Sequence, residues 1–105
     1  MAEIINDIVR FLEIIKTEKI VQIKFFKKDG TERIMKCTLD FKVIPKEHHP
    51  KEINLLKILK TMQNTGILHV FDVEKMAWRS VPFQSVEWLV TPQKKMYRIV
   101  PEKKK

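Results

Sequence analysis

The sequence predicts one α+β domain: a small β-barrel of about five strands, with an N-terminal helix and a second helix between strands 2 and 3. Two alternating segments carry this prediction. Residues 21–39 are interrupted by Asp29-Gly30, and residues 67–83 turn at 73–76. Asp-Gly between two alternating runs is typical of a tight hairpin turn. Because short strands expose edges, a small domain hides them most easily by curling into a barrel.

Length and composition set the class of protein. The 105 residues are enough for one hydrophobic core, and 44% hydrophobic with 32% charged residues is typical of a folded soluble domain. Charged residues interrupt the apolar N-terminal segment, and no run is long enough for a membrane span. The single cysteine, Cys37, excludes an intramolecular disulfide. We therefore expect a cytoplasmic protein that does not contact membranes.

The first element is a predicted helix over residues 3–16. Its apolar residues recur at helical spacing and form one stripe: Ile4, Ile5, Ile8, Phe11, Leu12 and Ile15. An isoleucine-rich helix has modest intrinsic propensity, so it needs a partner surface. That surface is either the protein's own barrel or a second subunit.

The remaining elements follow in order. Strands are predicted at 21–26 and 33–39, and the second helix begins at Pro50 and ends before Gly66. Three more strands follow at 67–72, 77–83 and 85–91, with a short strand around 96–100. Pro82 predicts an edge strand or a bulge. We assign residues 1–92 to the barrel domain and 93–105 to a basic C-terminal extension.

Several segments also resemble the WYL-like family of small tailed-phage proteins with an SH3-type (Sm-like) β-barrel. The shared segments are Phe26-Lys-Lys-Asp-Gly-Thr-Glu-Arg33, Met35-Lys-Cys-Thr-Leu39, Val70-Phe-Asp72 and Trp78-Arg-Ser80 closing on Ser85-Val86. The resemblance covers roughly residues 20–90. It implies an SH3-like barrel and a small accessory protein made during infection of a bacterium. WYL domains proper, which look distantly related, serve in transcription regulators and sense ligands or nucleic acid.

Positive charge is concentrated in two segments of the chain. The net charge is +8, and residues 19–36 carry six basic side chains against two acidic ones. Residues 93–105 carry six basic side chains against one acidic one. A polyanion would meet these two segments first.

Nucleic acid is the ligand that this pattern favours. Small barrels bind single strands by pairing a basic groove with aromatic side chains, since phosphates need cations and bases offer a stacking face. The predicted residues for RNA or single-stranded DNA are Lys24, Phe26, Lys27, Lys28, Arg33, Lys36, Trp78, Arg79, Lys94, Lys95 and Arg98. The alternative is that these cations only keep a barrel surface soluble, and that Trp78 closes one end of the core.

Catalytic and metal sites are not predicted. The chain has no glycine-rich phosphate loop and no nucleophile motif, and Asp72 near Arg79 suggests a structural ion pair. His48, His49, His69 and Cys37 lack the spacing of metal ligands. We therefore expect no enzyme activity, no metal and no cofactor.

Protein binding is the competing function. The apolar stripe of the N-terminal helix, with Ile4, Ile8, Phe11, Leu12 and Ile15, could form a homo-oligomer seam or bind a host protein, and the basic face of the domain could also bind a host protein. Such a host protein would belong to the transcription or defence machinery. Packing of the stripe against its own barrel is the simpler interpretation and the one that we favour.

Overall fold

The computed structural model describes residues 3–51 and 54–101, in which two helices and seven strands form one α+β unit. Two short 3-10 helices, Lys46–His48 and Phe83–Ser85, complete it. The helices are α1 (Ile8–Glu18) and α2 (Leu55–Thr65). The strands are β1 (Glu3–Ile5), β2 (Ile20–Phe26), β3 (Glu32–Thr38), β4 (Ile67–Asp72), β5 (Ala77–Pro82), β6 (Val86–Val90) and β7 (Met96–Ile99).

All seven strands lie in one mixed sheet in the order β1-β7-β6-β2-β3-β4-β5. Only β1 and β7 are parallel, and the other neighbours are antiparallel. Within the described residues no ladder joins β1 to β5, so the predicted closure into a barrel is wrong at the level of hydrogen bonding. The predicted edge position of Pro82 is confirmed, because β5 is a terminal strand of the sheet.

The N-terminal segment differs from the predicted helix over residues 3–16. Residues 3–5 pair with β7 instead, and the Val100 N–H donates to the Ile5 carbonyl at 2.8 Å. The helix begins only at Ile8, because Asp7 caps it by accepting the Val9 N–H at 2.8 Å. The apolar spacing of the sequence is helical over residues 3–5 as well, but these residues form a strand because they pair with β7, far away in the chain.

The first hairpin forms as predicted. Gly30 has φ +87°, a conformation that side chains rarely adopt, and its N–H donates to the Lys27 carbonyl. Asp29 Oδ1 accepts both the backbone N–H and the hydroxyl of Thr31. These bonds lower the pKa of Asp29. Local side-chain chemistry therefore fixes the turn and the register of β2 against β3.

The second helix is shorter than predicted at its start. Pro50 lies outside it, and α2 begins at Leu55 after Asn54, whose side chain accepts the Lys57 N–H at 3.1 Å. Its predicted end is confirmed: Gly66 has φ +72° and donates to the Met62 carbonyl.

The core lies between the inner face of the sheet and the two helices. Phe11 of α1 is fully buried, and its ring meets that of Phe83 edge-on at 5.4 Å. Met62 of α2 is also fully buried. Tyr97 and Ile99 of β7 belong to the same core. The predicted boundary at residue 92 is therefore wrong, since β7 is part of the domain. Residues 102–105 of the predicted basic extension lie outside the described residues.

Burial also governs the reactivity of the lone cysteine. Cys37 has no exposed surface, and burial, followed by the Asp72 carboxylate, raises the pKa of its thiol to about 12. Because the thiolate is the reactive form, we expect Cys37 not to react with an aromatic disulfide reagent at pH 8 until the domain opens. Thiol release with and without denaturant measures this. A Gln93→Cys variant, with its second thiol at an exposed position, is the control. Release of both thiols at the same rate in native buffer would contradict the expectation.

Candidate functional surface

Paired residues of five strands form a row of side chains that includes one of the hairpin residues predicted to bind nucleic acid, Lys24. Strand pairing places Lys24 of β2 opposite Ile34 of β3 on one side and Trp88 of β6 on the other. Trp88 in turn lies opposite Arg98 of β7, and Arg98 lies opposite Ile4 of β1. Directly paired residues share a face of the sheet. One row of side chains therefore crosses five strands on the side turned away from the core.

A second, parallel row completes this surface. It runs from Lys36 through Gln22 and Val90 to Met96. We call the two rows, with Phe26 at the end of β2, the outer sheet face. Its members are Ile4, Gln22, Lys24, Phe26, Ile34, Lys36, Trp88, Val90, Met96 and Arg98, and Glu32, which pairs with Phe26, adds a carboxylate to the same face. Large apolar side chains stand exposed here: Ile4 is 62% exposed, Ile34 51%, Met96 45% and Phe26 40%.

Lys24 is held by two carboxylates and is not a free phosphate ligand. Its Nζ lies 3.2 Å from Glu87 Oε2 and 3.3 Å from Glu32 Oε1. Glu87 and then Glu32 raise the pKa of Lys24. Within the described residues Glu87 Oε2 is buried and makes no hydrogen bond, so Lys24 balances its charge. The predicted role of Lys24 therefore changes: it neutralises Glu32 and Glu87 rather than binding a nucleic-acid backbone.

Arg33 also forms an ion pair within the protein, with the buried carboxylate of Asp72. Its guanidinium donates to Asp72 Oδ2 at 2.7 Å, and the Asp72 side chain is 1% exposed. Asp72 Oδ1 accepts the N–H groups of Glu74 and Lys75 and so closes the β4–β5 turn. The predicted phosphate contact of Arg33 is replaced by this ion pair. Asp72 is indeed in a structural pair, but Arg33 rather than Arg79 is its partner.

Trp78 and Arg79 project to opposite sides of the edge strand β5, and neither belongs to the two rows of the outer sheet face. Trp78 is opposite Phe71 in β4, and its indole N–H donates to the His48 carbonyl at 2.7 Å. Arg79 follows on the opposite face of the edge strand β5 and is exposed. The predicted stacking by Trp78 and the predicted contact of Arg79 would therefore have to occur on opposite sides of β5. Their consecutive positions in a strand send them in opposite directions.

The remaining predicted cations are exposed but scattered. Lys27 and Lys28 lie at the tip of the first hairpin, and Lys94 lies in the β6–β7 turn with φ +66°. Lys95 is 3.2 Å from Glu3 and lies 4.9 Å above the ring of Tyr97. Hydrogen bonding to Tyr97, and then to Glu3, raises the pKa of Lys95. Of the predicted set, Phe26, Lys36 and Arg98 are the residues that the sheet brings to one face without an internal salt bridge in the described residues.

The predicted partner-binding stripe is mostly core. Phe11 and Ile15 have no exposed surface and Leu12 has 2%. Ile8 is partly buried, and Ile4 is exposed on β1. The proposed seam on the helix is therefore corrected: the stripe packs within the chain, as the simpler interpretation had it. Its apolar residues supply the core that the small sheet needs.

Trp88 is the residue on this surface that sequence reasoning did not place. It is partly buried in the middle of the row, between Lys24 and Arg98. Alternation within residues 86–90 would have turned it outward, but its neighbours depend on the register between strands far apart in the chain. Within the described residues no group of histidine, cysteine or acidic side chains is suited to a metal ion. None of the described helices is both long and apolar enough to span a membrane.

Comparison with known proteins identifies the fold family, although no ladder closes the sheet within the described residues. A family model described as WYL_2, with an Sm-like SH3 beta-barrel fold, matches residues 14–85. The match begins within α1 and ends at Ser85, just before β6, so it leaves β1, β6 and β7 outside. Neither the curated proteins nor the solved structures gave a match.

Proposed function

This chain belongs to the WYL_2 family of Sm-like SH3 β-barrel proteins, and from its outer sheet face we propose that it is a non-enzymatic module that binds single-stranded RNA or DNA. The observation that carries the proposal is that Trp88 and Phe26 share the outer sheet face with two exposed cations, Arg98 and Lys36. An aromatic ring between long basic side chains on an open sheet is the arrangement that single-stranded nucleic acid uses.

Base stacking is the first part of the proposed interaction. Trp88 is partly exposed, and Phe26, 40% exposed, lies at the end of β2 on the same face. Bases of any sequence stack on such rings, and each stacked base contributes about 1–3 kcal/mol. Ile34 and Ile4 extend the row at both ends and exclude water beside the stacked bases.

Phosphate binding is the second part. Arg98 and Lys36 are exposed on the outer sheet face, and Lys27 and Lys28 project from the adjoining hairpin tip. Lys24 is not counted among these cations, because Glu32 and Glu87 already pair with it. A strand crossing β7, β6, β2 and β3 would therefore meet cations on both sides of Trp88.

Anisotropy titration of labelled single-stranded RNA and DNA oligomers at low and moderate salt tests the proposal. Replacing Arg98 by alanine should weaken binding about threefold to tenfold and lower the salt slope by about 0.7, as expected for one lost phosphate contact. Arg79→Ala is the matched control, because this arginine is exposed on another face. Equal losses for both variants would show only general charge attraction, and absence of binding at low salt would refute the proposal.

Tryptophan fluorescence tests the stacking part separately. A Trp78→Phe variant leaves Trp88 as the single tryptophan. Saturating oligonucleotide should quench its emission, and Trp88→Ala should weaken binding about tenfold. Unchanged emission at saturation would place the nucleic acid elsewhere on the protein.

The setting of this activity is also part of the proposal. The likeness to tailed-phage proteins noted in the sequence favours an accessory protein encoded by a phage. Such a protein would act in the cytoplasm of the infected bacterium.

Binding to a host protein is the second candidate function, and the exposed apolar residues of the outer sheet face favour it. Ile4, Ile34 and Met96 are each about half exposed or more, and such side chains are typical of protein contacts. The helix stripe cannot take part in this interaction without unfolding. A complex held by the apolar residues should persist at high salt and be lost with Ile34→Glu, whereas binding of nucleic acid should weaken with salt.

A further inference from the structure

A groove separate from the outer sheet face lies between the 39–50 connection, α2 and the β4–β5 hairpin. Its volume is about 530 Å³, within the range of small-molecule sites. Apolar atoms form nearly all of its surface. All three histidines of the chain line it, together with Phe41, Trp78 and Lys57. We propose that this groove binds a small planar aromatic anion.

Aromatic rings form the walls of the groove. Phe41 meets His49 edge-on at 5.2 Å and is tilted against Trp78 at 6.2 Å. Behind them Trp78 meets the buried ring of Phe71 edge-on at 5.5 Å, and the His48 ring lies 5.2 Å from Phe71. Flat walls of this kind select a flat apolar ligand by stacking and edge contacts.

Hydrogen bonds hold the walls in place before any ligand arrives. The indole N–H of Trp78 donates to the His48 carbonyl, and His49 Nε2 lies 2.7 Å from the Ile44 carbonyl. A carbonyl can only accept, so His49 donates through Nε2. Because these bonds already fix the rings to the 39–50 connection, a ligand meets a preorganised surface and orders few side chains on binding.

The charged side chains at the groove determine whether the ligand is a cation or an anion. Aromatic walls alone would also suit a cation. However, Lys57 is exposed at the groove and repels a cation, and none of the described lining residues is acidic. The ligand class is therefore an aryl ring with a carboxylate, sulfonate or phosphate group.

Nuclear magnetic resonance titration with 1-naphthoate and with (1-naphthyl)methylammonium tests this inference on the full chain. Naphthoate should shift the indole N–H signal of Trp78 and the signals of the groove histidines, and should leave that of Trp88 unchanged. The ammonium probe should produce much smaller shifts. Equal shifts with both probes, or shifts confined to Trp88, would overturn the inference.

A matched pair of substitutions on α2 tests the charge argument. Lys57→Gln should weaken naphthoate binding about threefold, the effect expected for an exposed ion pair. Lys60→Gln removes an exposed lysine of the same helix that does not line the groove, and it should have no effect. Equal effects would refute selection by Lys57. Neither substitution lies on the outer sheet face, so failure here is distinguishable from failure of nucleic-acid binding.

Discussion

Replacing Leu12 by glutamate is expected to unfold the protein at room temperature. Leu12 is 2% exposed and packs in the core beside Phe11 and Ile15. Truncation of a buried leucine alone costs about 2–5 kcal/mol. A buried carboxylate without a partner adds several more. The sum is comparable to the whole stability of a small domain, roughly 5–15 kcal/mol.

Val9→Glu is the matched control for this prediction. Val9 is 40% exposed on the same helix, so the same change of residue type there should alter the free energy of unfolding by about 0.5 kcal/mol or less. Circular dichroism and thermal denaturation measure both variants. A folded, stable Leu12→Glu protein that had lost only an oligomeric contact would restore the helix stripe as an interface.

Replacing Arg33 by methionine is expected to destabilise the protein by about 3 kcal/mol. Removing one partner of a buried ion pair typically costs about 3–5 kcal/mol, because the remaining charge is left without compensation. The lower end applies, since the Arg33 side chain keeps 25% of its surface exposed while Asp72 keeps 1%. Urea denaturation gives the difference in the free energy of unfolding.

A double-mutant cycle identifies the charge of Asp72 as the cause. Asp72→Asn removes that charge but keeps an oxygen that can accept the N–H groups of Glu74 and Lys75. In its presence Arg33→Met should cost about 2 kcal/mol less than in the parent protein. Arg10→Met, which breaks the exposed pair with Glu13, is the control and should cost under about 0.5 kcal/mol. Additive effects of Arg33→Met and Asp72→Asn would contradict a coupled pair.

Local features of the fold could be predicted because their causes lie within a few residues. Asp29 and Gly30 form the hairpin turn through bonds to residues immediately beside them, and Gly66 ends α2 in the same local way. β1 could not be found, because its three residues continue the apolar spacing of α1. Glu3–Ile5 forms a strand because it pairs with β7, more than 90 positions later in the chain.

In the candidate site, too, features set within one strand could be predicted, whereas features set by pairing between distant strands could not. Alternation within β2 correctly puts Lys24 and Phe26 on one face, because that inference needs only one strand. Placing Trp88 beside Lys24 needs the register of β2 against β6, which no nearby turn sets. The Arg33–Asp72 bond joins residues 39 positions apart. Basic residues that look equivalent in the sequence therefore differ in the protein: Arg33 is partly buried in an ion pair with Asp72, whereas Arg98 is exposed.

The parallel pairing of β1 with β7 has a consequence for how the protein is made. β1 leaves the ribosome before the other six described strands, yet its neighbour in the sheet, β7, is translated after all of them. The ring contact between Phe11 and Phe83 likewise cannot form until Phe83 has been translated. While β2 to β6 are translated, the nascent chain must therefore carry the apolar residues of β1 and α1 without these partners. A holding chaperone should bind these residues until β7 emerges.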